Sequence, residues 1–313
     1  MDNKTLTNFG KVMVFNRAFD MVKETPDNYS HYVKDNLDNY KYDYYKYYRK
    51  ELYKLSPETI RLRINLIKEE IGELNDAILQ NDIIEQRDAC ADILYVVYGM
   101  ADVLGIAIDD MFMNIIPESK QQDYIEKCIT AFTISGSQYY SNFNKIKYFS
   151  SEIDEYNIGK TDSSNDTNIK LIYEKLNTIF LELQVECIKC ISNVSTESNV
   201  SNENNSDTND NYATIGNYLF ELLKWTYLMT VEMGIDADAD FAIVHESNMS
   251  KLCDNEIDAK ATVEDYEKKH IAGVSPYESP YYYYLSKLDK WIVKNLSTGK
   301  ALKNIKYKKV CFV

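Results

Sequence analysis

Residues 56–105 read SPETIRLRINLIKEEIGELNDAILQNDIIEQRDACADILYVVYGMADVLG, and this stretch decides the fold class. Its first half repeats apolar residues at three and four positions, which is the spacing of one helix face. These residues are Ile64, Ile67, Ile71, Leu74 and Ile78. Ser56 is a suitable N-cap for this helix, Asn81 or Asp82 for the next, and Gly105 suits a left-handed helix end. The stretch predicts two antiparallel helices with a short connection.

The composition favours helices in the rest of the chain as well. The 313 residues include only ten glycines and five prolines, whereas 45% are apolar, which disfavours sandwiches and barrels with many tight turns. The formal net charge of -14 repels polyanions, so we expect no nucleic-acid partner. No segment approaches the roughly 18 apolar residues of a membrane span, and the N-terminus lacks a signal-peptide core. We therefore expect a soluble cytoplasmic protein without a membrane partner.

Three further segments have a recognisable pattern. An N-terminal helix is predicted from the stripe of Val12, Phe15, Ala18 and Phe19. A tyrosine-rich stretch follows at 27–53, and its spacing predicts a helical insertion. Six cysteines without regular spacing indicate a reducing compartment, and we interpret the CxxC pair Cys187 and Cys190 as core residues.

The helical hairpin at 56–105 carries two sets of carboxylates. The first set is Glu69, Glu70 and Glu73, and the second is Glu85, Asp88 and Asp92. The first covers about a quarter of its helix circumference, and Glu70 borders the apolar stripe. The second lies on one narrow strip of the next helix, because its members are three and four residues apart.

A solvated surface is the usual explanation for an acidic helix face, but the second helix argues against it here. Most residues around Asp88 and Asp92 are apolar, and buried carboxylates need a compensating charge. That helix has no lysine, and Arg87 points to roughly the opposite side. A bound divalent cation resolves this conflict. Because every candidate ligand is an oxygen donor, we expect Mg²⁺, with Mn²⁺ as the alternative, and hence phosphate chemistry.

The segments EEIGEL, EQRDACADILYVVYGMADVLGI and VHESNMSKL resemble the all-α NTP pyrophosphohydrolase superfamily, in its MazG-like and phosphoribosyl-ATP pyrophosphohydrolase-like branch. The resemblance implies an all-α helical bundle and a Mg²⁺-dependent hydrolysis of a nucleoside triphosphate to a monophosphate and pyrophosphate. It assigns the metal to the EExxE and ExxD positions, which are Glu69, Glu70, Glu73, Glu85 and Asp88. Asp92 is an alternative for the final aspartate. Glu70 and Glu73 are then the expected catalytic residues.

Polar residues near the C-terminus are candidates for substrate binding. Asn248 and Lys251, in SNMSK, look like the downstream residues with which the family meets its substrate, and beside them His245 is expected to be structural. From 287 to 313 eight lysines face one aspartate. A solvated basic tail is the simpler interpretation, while Lys300 and Lys303 are candidates for closing over the triphosphate.

The second half of the chain weakly repeats the first. One constant offset aligns Ala18 and Phe19 with Ala131 and Phe132, and Glu69 and Glu73 with Glu182 and Glu186. A second, larger offset aligns VLGIAIDDMF with EMGIDADADF. We therefore predict a tandem duplication that forms an internal pseudo-dimer, with a homodimer of the whole chain as a further alternative. Repeat one spans 1–120, a degenerate repeat two spans 121–254 with a disordered linker near 192–213, and a basic extension spans 255–313.

The predicted second repeat lacks part of the acidic set. Leu183, Thr214 and Asn217 stand opposite Glu70, Glu85 and Asp88, so this repeat should bind no metal. Because SNMSK lies in repeat two, a composite site is expected, with metal ligands from one repeat and phosphate contacts from the other. Nucleotide-pool sanitation is one role for such an enzyme. The rival functions are a phosphoribosyl-ATP pyrophosphohydrolase and a non-catalytic nucleotide-binding or scaffold protein.

Overall fold

The computed structural model describes residues 7–19, 21, 56–135, 141–153, 165–196, 206–286 and 288–312. The helices are α1 (Asn8–Ala18), α2 (Pro57–Gln80), α3 (Ile83–Val103), α4 (Ile108–Met111), α5 (Glu118–Ser135), α6 (Asn142–Phe149), α7 (Asn165–Thr196), α8 (Ser206–Glu232), α9 (Ala237–Met249) and α10 (Glu256–Ile271). Short 3-10 helices span Phe112–Ile115 and Ser150–Glu152. Within these ranges β1 (Pro280–Leu285) and β2 (Lys290–Asn295) form a single antiparallel pair, so the predicted all-α class is confirmed.

Two predictions concern residues that the structure does not describe, wholly or in part. The tyrosine-rich stretch at 27–53 lies outside the described residues. Of the predicted linker near 192–213, residues 197–205 also lie outside them, while α7 extends to Thr196 and α8 begins at Ser206. The repeat boundaries stay predictions.

The structure confirms the predicted caps of the helical hairpin formed by α2 and α3. The Ser56 side chain accepts a hydrogen bond from the Thr59 amide at 3.2 Å, and Asp82 accepts from the first-turn amides of α3. Asn81 ends α2 in the left-handed conformation, with φ 53°, so Asp82 and not Asn81 is the cap of α3. Gly105 follows α3 with φ 69°, a value that glycine adopts without a steric penalty.

The chain divides into two compact units. The first comprises Met1–Val12 and Pro26–Phe241, and in it α2 packs on α3, α7 packs on α8, and the two hairpins contact each other through α2 with α7 and α3 with α8. The predicted stripe of α2 faces this core, because its apolar residues are buried except for Ile78, which is half-buried. Cys187 and Cys190 are buried free thiols, as expected of core residues.

The centre of the first unit holds a buried polar network around Tyr98 and Tyr227. The Asn8 amide donates to the Tyr227 hydroxyl at 3.2 Å and to Asp238 at 2.8 Å. Asn142 donates to the Tyr98 hydroxyl at 2.8 Å. It also donates to Asp109, at 2.6 Å. Each tyrosine therefore receives a hydrogen bond from an asparagine, and each asparagine also binds an aspartate.

The second compact unit comprises Met13–Thr25 and Ala242–Val313. Its core joins α10 to the hairpin of β1 and β2 through buried Cys253, Ala259, Val293 and Leu302. The interpretation of the basic C-terminal stretch as a solvated tail is wrong for β2, because residues 292–295 are buried. Lys294 is among them, and its ammonium donates to the Phe19 carbonyl at 2.8 Å. Ile292 and Val293 point to opposite faces of β2, and both are fully buried. This segment is therefore packed into the protein on both of its faces.

Among the described residues, no single helix is long and apolar enough to cross a membrane. The helices Ile83–Val103 and Ile108–Ile115, which are bent by 115° relative to each other, reach the required length and composition only as a pair.

Candidate metal centre

The six predicted metal ligands lie on α2 and α3, which pack against each other in the first unit. They are Glu69, Glu70, Glu73, Glu85, Asp88 and Asp92. Glu70, Asp88 and Asp92 are half-buried, whereas the other three are exposed. Glu70 thus lies where the acidic band of α2 borders the apolar stripe, as the helical spacing predicted.

The pKa of Glu70 is affected by carboxylates of both α2 and α3. The pKa of Glu70 is raised from 4.5 to about 8, first by burial and then by the charges of Asp92, Glu73, Glu69 and Asp88. Two of these four residues come from α3. Charges on both helices therefore disfavour the ionised form of this one side chain.

Burial and neighbouring carboxylates also raise the pKa values of Glu73 and Asp88. The pKa of Glu73 is raised by burial and by the charges of Glu69, Glu85 and Asp76. Burial, followed by the charges of Glu85, Glu73 and Asp240, raises the pKa of Asp88. Among the described residues, no salt bridge involves Glu70, Glu73 or Asp88. This part of the chain therefore concentrates negative charge at the three carboxylates without a salt-bridging cation to balance it.

Asp88 provides the most specific observation in the site. Its Oδ1 atom is buried and has no hydrogen-bond partner. Leaving a buried carboxylate oxygen unsatisfied is costly, and such groups are normally paired or coordinate a metal. The oxygen-only donor set fits a hard cation such as Mg²⁺ or Mn²⁺. Within the described ranges, however, no three His, Cys, Asp or Glu side chains lie close enough together to enclose a metal ion as they stand.

Beside this site α3 is tied to the start of α9 by an ion pair that sequence reasoning missed. The Arg87 guanidinium donates to Asp240 through two nitrogens, at 2.9 Å and 2.7 Å, in a bidentate pair. The DADAD run containing Asp240 suggests helix capping, and Asp236 does accept hydrogen bonds from two first-turn amides of α9. Asp238 and Asp240 instead bind partners far away in sequence, which no local pattern reveals.

The predicted substrate-binding residues lie in the second compact unit. Lys251 donates to Asn248 at 2.7 Å, so the two polar groups of SNMSK bind each other. Lys300 lies over the Tyr277 ring at 5.5 Å and Lys303 over the Tyr307 ring at 4.5 Å. His245 is buried. The substrate-binding role of the four polar residues stays a prediction.

The fold and the site place this protein in a class. It is an all-α bundle of helical hairpins in which two adjacent helices, α2 and α3, supply the carboxylates of a candidate cation site. A family model described as phosphoribosyl-ATP pyrophosphohydrolase matches residues 38–118. The chain is also 30% identical to an uncharacterized protein of Acanthamoeba polyphaga mimivirus over an alignment of 266 residues. This alignment covers 83% of this chain and 84% of that relative. No solved structure matches.

The chain belongs to the MazG-like all-α NTP pyrophosphohydrolase superfamily, of which the phosphoribosyl-ATP pyrophosphohydrolase family is a member. The resemblance drawn from EEIGEL and EQRDACADILYVVYGMADVLGI, which lie within the matched residues, is thereby confirmed. This family points to a pyrophosphohydrolase, a hydrolase of phosphoanhydride bonds in nucleotide-like substrates.

Proposed function

We propose that the protein is a Mg²⁺-dependent nucleoside triphosphate pyrophosphohydrolase that releases a nucleoside monophosphate and pyrophosphate. The observation that carries this proposal is the buried, unpartnered Oδ1 of Asp88 within a set of like-charged carboxylates. Such an arrangement is unfavourable in a protein that binds nothing there, since each ionised carboxylate raises the energy of the next. A cation carried in by or with a phosphate chain removes that penalty.

The proposed ligands are the six carboxylates of α2 and α3. Of the two aspartates, Asp88 is proposed as the closer ligand, because its Oδ1 is buried without a hydrogen-bond partner. A bound Mg²⁺ would neutralise phosphate charge and lower the pKa of an attacking water. Mn²⁺ fits the same donors.

Glu70 is the residue best suited to hold the proton that hydrolysis releases. Its pKa of about 8 is that of the site without a metal ion, where burial and neighbouring carboxylates favour the protonated form. A bound cation would favour the ionised form, which is the form that can accept a proton. In the proposed reaction a water oxygen bonds to phosphorus, the phosphoanhydride bond breaks, and pyrophosphate leaves. Glu70 takes the water proton. Glu73, three residues further along α2, lies on the same side of the helix as a further proposed metal ligand.

A substrate panel with pyrophosphate detection tests this proposal. Purified protein is incubated with Mg²⁺ and each common ribo- and deoxynucleoside triphosphate, beside Glu70→Gln and the control Glu174→Gln, which changes an exposed residue of α7. We expect pyrophosphate from at least one triphosphate, a loss of about 100-fold or more in Glu70→Gln, and full activity in the control. Binding of nucleotide and Mg²⁺ without pyrophosphate release from any substrate would favour the non-catalytic alternative.

A second candidate function is favoured by the family model itself, which is described as phosphoribosyl-ATP pyrophosphohydrolase. The carboxylate site would be the same, because both reactions cleave a phosphoanhydride bond of a triphosphate. The panel therefore includes phosphoribosyl-ATP. Preference for a deoxynucleoside triphosphate would support a role in nucleotide-pool sanitation, whereas turnover confined to phosphoribosyl-ATP would establish the second candidate.

A further inference from the structure

The first unit contains two matching sets of contacts. Asn8 of α1 binds Tyr227 and Asp238, and Asn142 of α6 binds Tyr98 and an aspartate at the corresponding place, Asp109. The offset that aligns VLGIAIDDMF with EMGIDADADF also pairs the two tyrosines and the two aspartates. The runs that contain the two asparagines match as well. They are TNFGKVMVF at 7–15 and SNFNKIKYF at 141–149.

Further pairs repeat this correspondence. Lys11 donates to Asn8 at 3.2 Å, and Lys145 donates to Asn142 at 3.0 Å. Phe112 makes an edge-to-face contact with Tyr227 at 5.9 Å. The matching pair on the other side is Phe241 with Tyr98, at 6.2 Å. Reciprocal contacts of this kind are what a two-fold relation between two copies produces. They favour a pairing of α1 with α6, which differs from the predicted match of Ala18 and Phe19 with Ala131 and Phe132.

The same correspondence extends to the carboxylates of the two hairpins. The hairpin of α7 and α8 keeps three acids, Glu182, Glu186 and Glu221, at the positions of Glu69, Glu73 and Asp92. At the other three positions it has Leu183, Thr214 and Asn217. Two of the three half-buried members of the first site are thus replaced by uncharged residues.

Two of the retained acids each form an ion pair with a lysine of the second hairpin, and the first hairpin has no lysine at the corresponding positions. The Lys224 ammonium lies 2.7 Å from Oε1 and 2.6 Å from Oε2 of Glu221, and it is shielded from solvent because only 12% of its side chain is exposed. Lys189 binds Glu186 at 3.0 Å. At the positions of these two lysines, the first hairpin has Tyr95 and Asp76.

We propose that the hairpin of α7 and α8 is a second copy of the α2–α3 hairpin in which lysine ammonium groups have taken the place of the divalent cation. The chain then carries one cation site and one counterpart that is permanently neutralised. The inference rests on the proposed function for the cation site of the first hairpin. It adds that lysines of the second hairpin neutralise two of its retained acids and so keep a divalent cation out.

The physical reason is charge balance in a partly buried place. Glu221 accepts from Lys224 and from the Trp225 ring nitrogen, at 3.2 Å, so its carboxylate is satisfied by the protein alone. An ammonium group held at both carboxylate oxygens excludes a hard cation from the same oxygens. The second hairpin should therefore be insensitive to divalent ions, whereas the first should depend on them.

The test measures Mn²⁺ binding by calorimetry in wild type, Glu70→Gln and Glu221→Gln. We expect Glu70→Gln to weaken Mn²⁺ binding more than about 10-fold. Glu221→Gln should keep the wild-type stoichiometry and affinity. Loss of bound Mn²⁺ in Glu221→Gln would overturn the inference, because the second hairpin would then hold metal. Unchanged binding in Glu70→Gln would count against the proposed function instead.

A double-mutant cycle in chelator tests the lysine directly and does not depend on activity. Lys224→Met and Glu221→Gln should each lower the melting temperature, by about 3 °C, and the double variant should fall by less than the two effects together. Lys170→Met, which changes an exposed lysine of α7, is the control and should leave it unchanged. Additive effects of the two variants would show that the pair does not replace a cation.

Discussion

The hydroxyl oxygens of Tyr98 and Tyr227 lie 3.0 Å apart, and both side chains are fully buried. Each hydroxyl also accepts a hydrogen bond from an asparagine, Asn142 for Tyr98 and Asn8 for Tyr227. Burial raises the pKa of both phenols far above their ordinary value, so they stay neutral and act as hydrogen-bonding groups. A chain of four side chains thus joins α1, α3, α6 and α8 through the centre of the first unit.

Removal of one hydroxyl from this chain should destabilise the protein. In Tyr98→Phe the Asn142 amide and the Tyr227 hydroxyl each lose a partner in a buried place, which costs about 1–3 kcal/mol of the free energy of unfolding. Urea unfolding followed by circular dichroism measures this value.

The double variant Tyr98→Phe, Tyr227→Phe is the matched comparison. If the hydroxyls act as one network, the double variant should lose less than the sum of the two single variants. Strict additivity would mean that the two phenols contribute separately.

Asp238 should make stability depend on pH. Burial raises its pKa from 3.8 to about 6, against the smaller opposing effects of Ser141, Asn8 and Lys11. Because the folded-state pKa is higher than the unfolded one, the folded protein binds the proton more tightly. The stabilising effect is complete below about pH 4 and is lost as the pH rises through about 6.

The variant Asp238→Asn isolates this contribution, because its side-chain oxygen can still accept from Asn8. We expect wild type to lose up to about 3 kcal/mol relative to the variant between these pH limits. Denaturant midpoints measured across the range provide the comparison. Parallel curves for the two proteins would show that Asp238 does not titrate there.

Asp88→Asn should separate metal binding from stability. The buried Oδ1 and the charges of Glu85, Glu73 and Asp240 raise the pKa of this carboxyl, so its ionised form is unfavourable without a cation. In chelator the variant should therefore be more stable than wild type. Mg²⁺ should raise the melting temperature of wild type only, and Mn²⁺ affinity should fall more than about 10-fold in the variant.

The comparison with Asp92→Asn decides which aspartate is the closer ligand. We expect the smaller loss of Mn²⁺ affinity from Asp92→Asn. A larger loss there would reverse the assignment and make Asp92 the final aspartate of the motif.

Local chemistry accounts for the part of the fold that the sequence predicts correctly. Ser56, Asp82 and Gly105 act within a few residues of themselves, so caps and helix ends are readable without tertiary information. The acidic faces of α2 and α3 were predictable for the same reason, since helical spacing fixes which side chains share a strip. Because these two consecutive helices pack on each other, charges from both faces affect the pKa of Glu70.

Partners that are distant in sequence account for what was missed. Asp238 lies 230 positions from Asn8, and Asp240 lies 153 positions from Arg87, so neither pairing leaves a local pattern. The proposed relation between α1 and α6 has a sequence signal, a shared Asn-Phe and a lysine three residues after the asparagine. Polar residues that recur at fixed offsets are a better guide to such a relation than apolar pairs, which every amphipathic helix provides.

Two glycines in the first hairpin, Gly72 and Gly99, differ in the space available for an added methyl group. A methyl group at Gly99 would lie 2.8 Å from the Arg63 guanidinium, which is buried and interacts with the charge of Asp102. Gly99→Ala must displace that charged group, so a loss of about 1 kcal/mol is expected despite the better helix propensity of alanine. Gly72 has no atom within 4 Å of the same methyl position, so Gly72→Ala should gain about 0.5–1 kcal/mol. Unfolding in chelator measures both, and equal gains from the two variants would show that Arg63 moves aside freely.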